Sequence, residues 1–458
     1  MPLLTIPSGN VASAISGGYE VANSCRFDRA SSASMSKTQG AGNRRKATFS
    51  CWWKGAYPSG YDEQMFMSSG GDHNCYGAGT STGTMRINTG TGDYAYSTAY
   101  YRDPASWYHM VWAVDTEQGT AADRMKLYIN GTQVTSFSHS SYPSEDEDLD
   151  MNQTGETFYI ARSATTSYGN FMLAEVVWID GLQLAASSFG EFDEDSPTIW
   201  KPKDLSDLES SKGTNGFYLD FEDSSNLGND VWGGTDFTES NLAATDQASD
   251  SPTNNFCTLN PIAFENASGS GRLTEINLRL DGGSSTAHNL SVGTIAVNKG
   301  KWWFEAEIDA LGGSYPQIGI RSVDVYNELG SYVGEITGGA GYASHGTIAV
   351  DGSNVSTGLT SYSAGNIINV GLDLDNNKIY WYINGSLANS GGTTITNRYY
   401  TFSVSQYSNT GHWLCNFGAS APYTISSGNA DDNNYGNFEH APPSGYLALC
   451  TKNLAEEG

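Results

Sequence analysis

RMKLYINGTQV at residues 124–134 and NKIYWYINGSLA at residues 377–388 share the tetrapeptide YING, and the reading of these two stretches decides the fold. In the first, Met125, Leu127 and Ile129 alternate with Lys126, Tyr128 and Asn130. In the second, Ile379, Trp381 and Ile383 alternate with Tyr380, Tyr382 and Asn384. Alternation with period two predicts a strand with one face buried, and Asn-Gly directly after it is the strongest short hairpin signal. Each copy also follows another strand and turn. WYHMVWAVD (107–115) leads into TEQGTAADR, and NIINVGLDLD (366–375) leads into NNK. Both regions therefore read as the middle of an antiparallel meander in one layer of a sandwich.

The rest of the chain agrees. At 458 residues it exceeds one comfortable core, so two domains are expected. Its 53 glycines and 27 tyrosines, with 16% charged residues, suit many short strands joined by tight turns. No long helical period and no heptad array is present. The formal net charge of −27 and the absence of a basic cluster beyond NRRK (43–46) exclude nucleic acid as a partner. Anionic surfaces would be repelled too, unless divalent cations bridge them.

The six cysteines (Cys25, Cys51, Cys75, Cys257, Cys415, Cys450) lie far apart, with neither CxxC nor metal-ligand spacing, and read as small buried thiols. The opening MPLLTIPSGNVASAISGGYE carries no secretion-signal pattern, and no apolar run is long enough to span a bilayer. A protein made in a cytosol, without membrane insertion, is the expectation.

Three resemblances sharpen this reading. SWYHMVWAVD (106–115) with MKLYINGTQV (125–134) resembles the laminin-G-like, concanavalin-type jelly roll. GKWWFEAEIDA (300–310), QIGIRSV (317–323) and INVGLDLDNNKIYWYING (368–385) resemble a SPRY domain, another concanavalin-like sandwich. SCRFDRASSASMSKTQGAGNRRKATFSCWWKG (24–55), NGFYLDFEDSSNLGNDVWGG (215–234), SDSPTNNFCTLNP (249–261) and PPSGYLALCTKNL (442–454) resemble recurring phrases of tailed-bacteriophage tail-fibre or appendage proteins.

The expected fold is all-β, two concanavalin-like antiparallel β-sandwiches in series. The expected boundaries are an N-terminal arm (1–20), a laminin-G-like sandwich (21–235), a linker (236–262), a SPRY-like sandwich (263–420) and a C-terminal tail (421–458). AASSFGEFDE (185–194) is the expected short helix, and GYLALCT (445–451) a last strand able to pair with an exposed edge.

The sharpest enzymatic pattern is FEAEIDAL, where Glu305, Glu307 and Asp309 would share one strand face, as paired carboxylates do in retaining glycosidases. Trp302, Phe304, Ala306, Ile308 and Ala310 form the complementary apolar face, so the acids equally read as the wet side of a SPRY-like strand. No nucleophilic triad stands out among the seven histidines, and the chain reads as non-enzymatic. Among acidic loops, SEDEDLD (Glu145, Asp146, Glu147, Asp148, Asp150) is the calcium candidate, because five carboxylates so close must be solvated or bridged. DLDNNK (373–378) and DDNN (431–434) read as turns. No other cofactor is expected.

The binding candidates are aromatic. Tyr94, Tyr96, Tyr100 and Tyr101 crowd one polar segment, with Trp107 nearby. Tyr315, Tyr326, Tyr332, Tyr342 and Tyr407 fall in expected loops rich in Gly, Ser and Asn. Rigid amphipathic rings among small polar residues are the composition of recognition loops, although sandwiches also place tyrosine at strand ends. The resemblances imply a virion component, a tail-fibre or appendage adhesin that binds a bacterial surface glycan or protein and assembles with other virion subunits as a trimer or hexamer. The alternatives are a head or tail decoration protein and a glycan depolymerase.

Overall fold

The computed structural model describes residues 18–56, 64–70, 75–79, 83–90, 92, 94–164, 167–266, 272–283, 288–313, 315–325, 332–408 and 410–458. The chain forms two compact units, Ser13–Thr253 and Asn254–Gly458. Both are antiparallel β-sandwiches, as the alternation requires. Among the described residues no helix is long and apolar enough to cross a membrane.

In the first unit one sheet runs in the order Thr132–Gln133, Met125–Ile129, Tyr108–Asp115, Lys46–Gly55, Phe171–Asp180, Ser24–Phe27, Gln247–Ala248, with Phe217–Leu219 pairing the far half of Phe171–Asp180. The facing sheet runs Phe137–Ser140, Tyr94–Ser97, Met85–Thr89, Cys75–Gly79, Gln64–Ser69, Thr157–Ile160, Ser34–Thr38, Thr238–Ser240. Phe49, Trp112, Phe158 and Trp178 fill the space between the sheets. The other face of the first sheet is also covered. Val111, Ala113, Val177 and Ile179 pack beneath Phe189, Leu205, Tyr218 and Trp232. Tyr108–Asp115 is therefore buried on both faces along most of its length.

The second unit pairs a sheet ordered Leu259–Asn266, His288–Gly293, Tyr400–Tyr407, Gln317–Ser322, Gly339–Ala343, Thr347–Val350, Ser353–Ser356 with one ordered Arg272–Thr274, Arg279–Asp281, Gly411–Asn416, Lys301–Leu311, Asn366–Asp373, Lys378–Ile383, Ser386–Leu387. Trp302, Phe304, Trp381, Phe402 and Trp413 form its core.

The two YING stretches are one structural solution used in both units. Asn130 (φ 47°) and Gly131 (φ 77°) link Ile129 to Thr132, and Asn384 (φ 46°) and Gly385 (φ 75°) link Ile383 to Ser386. Two consecutive left-handed residues make the turn whose twist matches a hairpin, which Asn-Gly adopts at the lowest cost. Each Asn also ties the turn to the neighbouring strand. The Asn130 amide donates to the His109 carbonyl (2.9 Å) while the His109 amide donates to Asn130 Oδ1 (2.7 Å). Asn384 makes the same pair with Ile367, at 2.8 and 2.9 Å.

Two expectations of organisation, the linker and the short helix, are corrected. The segment 236–262 is no linker: Thr238–Ser240 and Gln247–Ala248 complete the two sheets of the first unit, and the division falls at Thr253/Asn254. Its polar residues tie it to distant strands, as in a buried ion pair in which Lys54 Nζ lies 2.6 Å from Asp250 Oδ2 while Trp107 Nε1 donates to Asp250 Oδ1. Within 185–194 only the short 3₁₀ turn Ala186–Ser188 forms, followed by the strand Gly190–Phe192. The C-terminal segment pairs with its own unit, Leu447 and Ala448 lying parallel to Trp302 and Trp303, before the helix Thr451–Glu457. Of the arm, Tyr19 donates or accepts at Tyr218 Oη (3.1 Å) and packs on a buried cluster of Val21, Trp52 and Ala174.

Candidate functional site

The strand Lys301–Leu311 sends Trp302, Phe304, Ala306 and Ile308 into the core, as its alternation demands. The opposite face is not wet at Glu305. Phe438, Tyr446, Ala448 and Cys450 of the C-terminal segment pack on Trp303 beside it, and Glu305 is 0% exposed. Its carboxylate accepts from Asn369 Nδ2 (2.9 Å), Asn416 Nδ2 (3.0 Å), the Tyr423 hydroxyl (3.0 Å) and the amides of Glu439 (2.7 Å) and His440 (3.3 Å). Burial pushes the carboxyl up to about 7, with the Glu439 and His440 amides, Tyr423 and Asn416 pulling the other way. The five donors are neutral groups, His440 Nδ1 lies 4.0 Å away, and Asp309 is exposed further along the strand. Glu307, two residues along the same face, is half-buried and raised by burial and by Asp309. Glu305 fastens the C-terminal segment to the sheet.

Glu175 plays a similar part in the first unit. It sits at a bulge in Phe171–Asp180 with φ 51°, and accepts from the Tyr218 hydroxyl at 2.8 Å. Burial raises it to about 8.

His109 and Ser50 are 2.9 Å apart, the one described Ser–His contact with the look of a catalytic dyad. Trp200 Nε1 donates to His109 Nδ1 (3.0 Å). An indole N–H can only donate, so Nδ1 is the bare nitrogen and Nε2 carries the proton toward Ser50 Oγ. That is the wrong tautomer for a base acting on Ser50. Burial lowers the ring to about 3 and keeps it neutral.

The acidic loops resolve into turns and ion pairs. Asp146 and Asp148 face Arg45 (3.1 and 2.8 Å), Glu145 faces Arg124 (3.3 Å), and Asp150 lies 3.9 Å from Arg44. Glu147 accepts from the Ser144 amide at 2.7 Å. Arginines thus answer the repulsion that suggested calcium, and no group of three or more metal-binding side chains converges among the described residues. Asp373 accepts from the Asn376 amide and side chain, and Asp431 from the amides of Asn433, Tyr435 and Ala448 and from Asn453 Nδ2. Five cysteines, Cys25, Cys51, Cys257, Cys415 and Cys450, are buried free thiols.

The nominated tyrosines separate into three groups. Tyr342 is core, fully buried in Gly339–Ala343 against Tyr362 and Trp381, because its register faces the opposite sheet. Tyr326 lies outside the described residues. In the first unit Tyr94 and Tyr96 are half-buried strand residues with the Arg86 guanidinium 5.1 and 5.2 Å from their ring centres, and His139 stacks on Tyr94 at 4.5 Å. Tyr101 packs on the core beside Tyr108, and exposed Tyr100 stands over Arg102.

The remaining three come together in the second unit. Ring contacts run from Tyr332 to His288 (5.5 Å), His288 to Tyr407 (4.8 Å), Tyr407 to Tyr315 (6.1 Å) and Tyr315 to His345 (5.9 Å). The register explains the gathering. His288 opens its strand opposite Tyr407, which closes the next; Gln317, just after Tyr315, pairs with Ser405; and Ala343, just before His345, pairs with Gln317. All five rings stand at one end of one sheet.

Tyr332 is carried by a loop that lies flat on that sheet. The Val333 amide donates to Ser405 Oγ (3.3 Å) and the Gly334 amide to Gln317 Oε1 (3.0 Å). A Cβ on Gly341 would come within 2.5 Å of Gln317 Oε1 and 3.0 Å of Val333, so the loop fits only over glycine. Tyr315 is 54% exposed and His345 is exposed, while the other three are half-buried. Burial lowers His288, against the pull of Glu335. Sequence reading missed His288, since nothing in HNLSVG marks it; only cross-strand register places it against Tyr407.

Residues 29–182 match the family model described as the concanavalin A-like lectin/glucanases superfamily, of laminin G type. No curated protein matches the chain. Among solved structures it is similar to the SPRY domain of human HERC1, at 15% identity and TM-score 0.29, over 36% of this chain and 99% of that one. It is similar to the TRIM65 PSpry domain at 11% identity and TM-score 0.28, over 37% and 90%. The heptameric SAP-like pentraxin from Limulus polyphemus is similar at 14% identity and TM-score 0.28, over 37% and 80%.

Proposed function

We propose that this chain is a non-enzymatic attachment protein, a component of a tailed-phage appendage that binds a bacterial surface glycan or protein. The observation that carries the reading is the ribbon of rings Tyr332, His288, Tyr407, Tyr315 and His345 at one sheet end of the second unit. Aromatic side chains with polar tips supply large contact area at low entropic cost, and on a surface they suit recognition better than stability. The phrases resembling phage appendage proteins supply the setting. The buried, donor-saturated state of Glu305 favours binding over glycan cleavage, because a group sealed under the C-terminal segment offers no substrate access. The test is adhesion of the full-length protein to host cells. Wild type is expected to adhere, and Tyr315→Ala with Tyr407→Ala to lose most of that adhesion while melting as wild type. Equal adhesion by the double variant would remove the proposal.

A further inference from the structure

Resting on that reading, we infer that the ligand of the ribbon is a linear, uncharged oligosaccharide that lies along several rings at once. Two features of the ribbon point to it. Successive ring centres are 4.8–6.1 Å apart, close to the length of one pyranose unit in a chain, so each sugar meets its own ring. Successive rings turn by 52–87° against one another, which leaves no flat platform. A planar ligand such as a nucleobase or a flat aromatic could stack on only one of them. A chain of saturated rings, free to rotate at each linkage, can give C–H faces to one aromatic ring and hydroxyls to the edge or hydroxyl of the next.

Charge supports the neutral class. Glu335 borders the ribbon: it accepts from the Tyr332 amide (3.3 Å) and acts on His288. With a chain charge of −27, a polyanion would be repelled on approach. His288, held neutral by burial, offers a hydrogen bond without a charge that an acidic sugar could use. The row has an open side too, since Tyr315 and His345 are exposed while Tyr332 is fixed at the far end by its seated loop.

An extended site of this kind has a length signature. The full-length protein is titrated against an array of linear neutral, linear acidic and branched bacterial-type oligosaccharides, each from disaccharide to hexasaccharide. Affinity is expected to climb with length across the linear neutral series and then level off. Tyr315→Ala is expected to bind about tenfold more weakly and to level off at a shorter chain, while Tyr315→Phe, which keeps the ring, stays within about threefold of wild type. Preference for acidic chains, or affinity indifferent to length, overturns the inference. So does an absence of glycan binding when ring-dependent adhesion to cells survives periodate and ends with protease; attachment through the ribbon would then stand with a protein receptor. Adhesion that ignores the ring substitutions would instead take down the attachment reading itself.

Discussion

Asn416 Nδ2 lies 3.0 Å from Glu305 Oε1, across one rung of the sheet, and Asn369 meets the same carboxylate from the other side at 2.9 Å. An acid flanked by two amides on adjacent strands forms a polar rung inside a dry layer. Tyr423 and the amides of Glu439 and His440 descend on it from the C-terminal segment. The rung is therefore a fastening between sheet and strap, and it would be costly to break from either side.

Glu305→Ala should destabilise the second unit by roughly 3–5 kcal/mol, since it strands several buried donors at once. The pH dependence has a definite sign. With a folded value of about 7 against an ordinary 4.5, the folded unit holds its proton more tightly than the unfolded chain. This contribution to stability is complete below the unfolded value and is lost as pH rises toward 7. Chemical denaturation of wild type across that window should show the decline, and Glu305→Gln should flatten it.

The Asn-Gly turns invite a paired test. Asn130→Ala and Asn384→Ala each lose a side-chain acceptor for a strand amide and force alanine to positive φ. A cost of about 2 kcal/mol each is expected, confined to the unit that carries the change. Asn→Gly at the same positions restores the backbone but not the acceptor, and should recover about half. Thermal melts of the four variants decide it; equal losses for Ala and Gly would assign the whole effect to the hydrogen bond.

These turns were fully legible in the sequence, because a hairpin is local: two residues set the twist and the flanking alternation sets the register. The apolar face of Lys301–Leu311 was legible for the same reason. Its other face was not. Whether Glu305 meets water depends on Tyr423, Glu439 and Tyr446, more than a hundred residues later, and no period along a strand records what arrives from so far away. Tyr342 failed as a loop candidate because its register against Ile318 and Ile348 points it inward. Tyr315, Tyr332 and Tyr407 were recognisable by type, but their gathering with His288 is a property of the antiparallel register alone.

Calcium should have little effect on the first unit. Asp146, Asp148 and Glu145 already face Arg45 and Arg124 at 2.8–3.3 Å, mostly at the surface, where water and salt screen such pairs. Addition of millimolar calcium, or of a chelator, is expected to leave the melting temperature unchanged, because solvent screens these surface pairs. A clear calcium-induced rise would mean that the carboxylates abandon the arginines for the cation.

His109 supplies the acid-side test. Its folded value of about 3 lies far below the ordinary 6.5, owing to burial, so its contribution to stability is complete above 6.5 and is lost as pH falls toward 3. Glu175, raised to about 8 in the same unit, works in the opposite direction, so the melt of the unit alone does not isolate the histidine. Nitrogen chemical shifts do. Nδ1, which accepts from Trp200, should read as the bare nitrogen and Nε2 as the protonated one, and both should hold steady down to about pH 4. Trp200→Phe removes the donor and leaves a buried acceptor unpaired, at a cost of about 1–3 kcal/mol. In that variant the preference for the Nε2–H tautomer should weaken. A wild-type ring that titrates near 6.5 would show that water reaches His109, and the neutral, structural assignment of this histidine would fall.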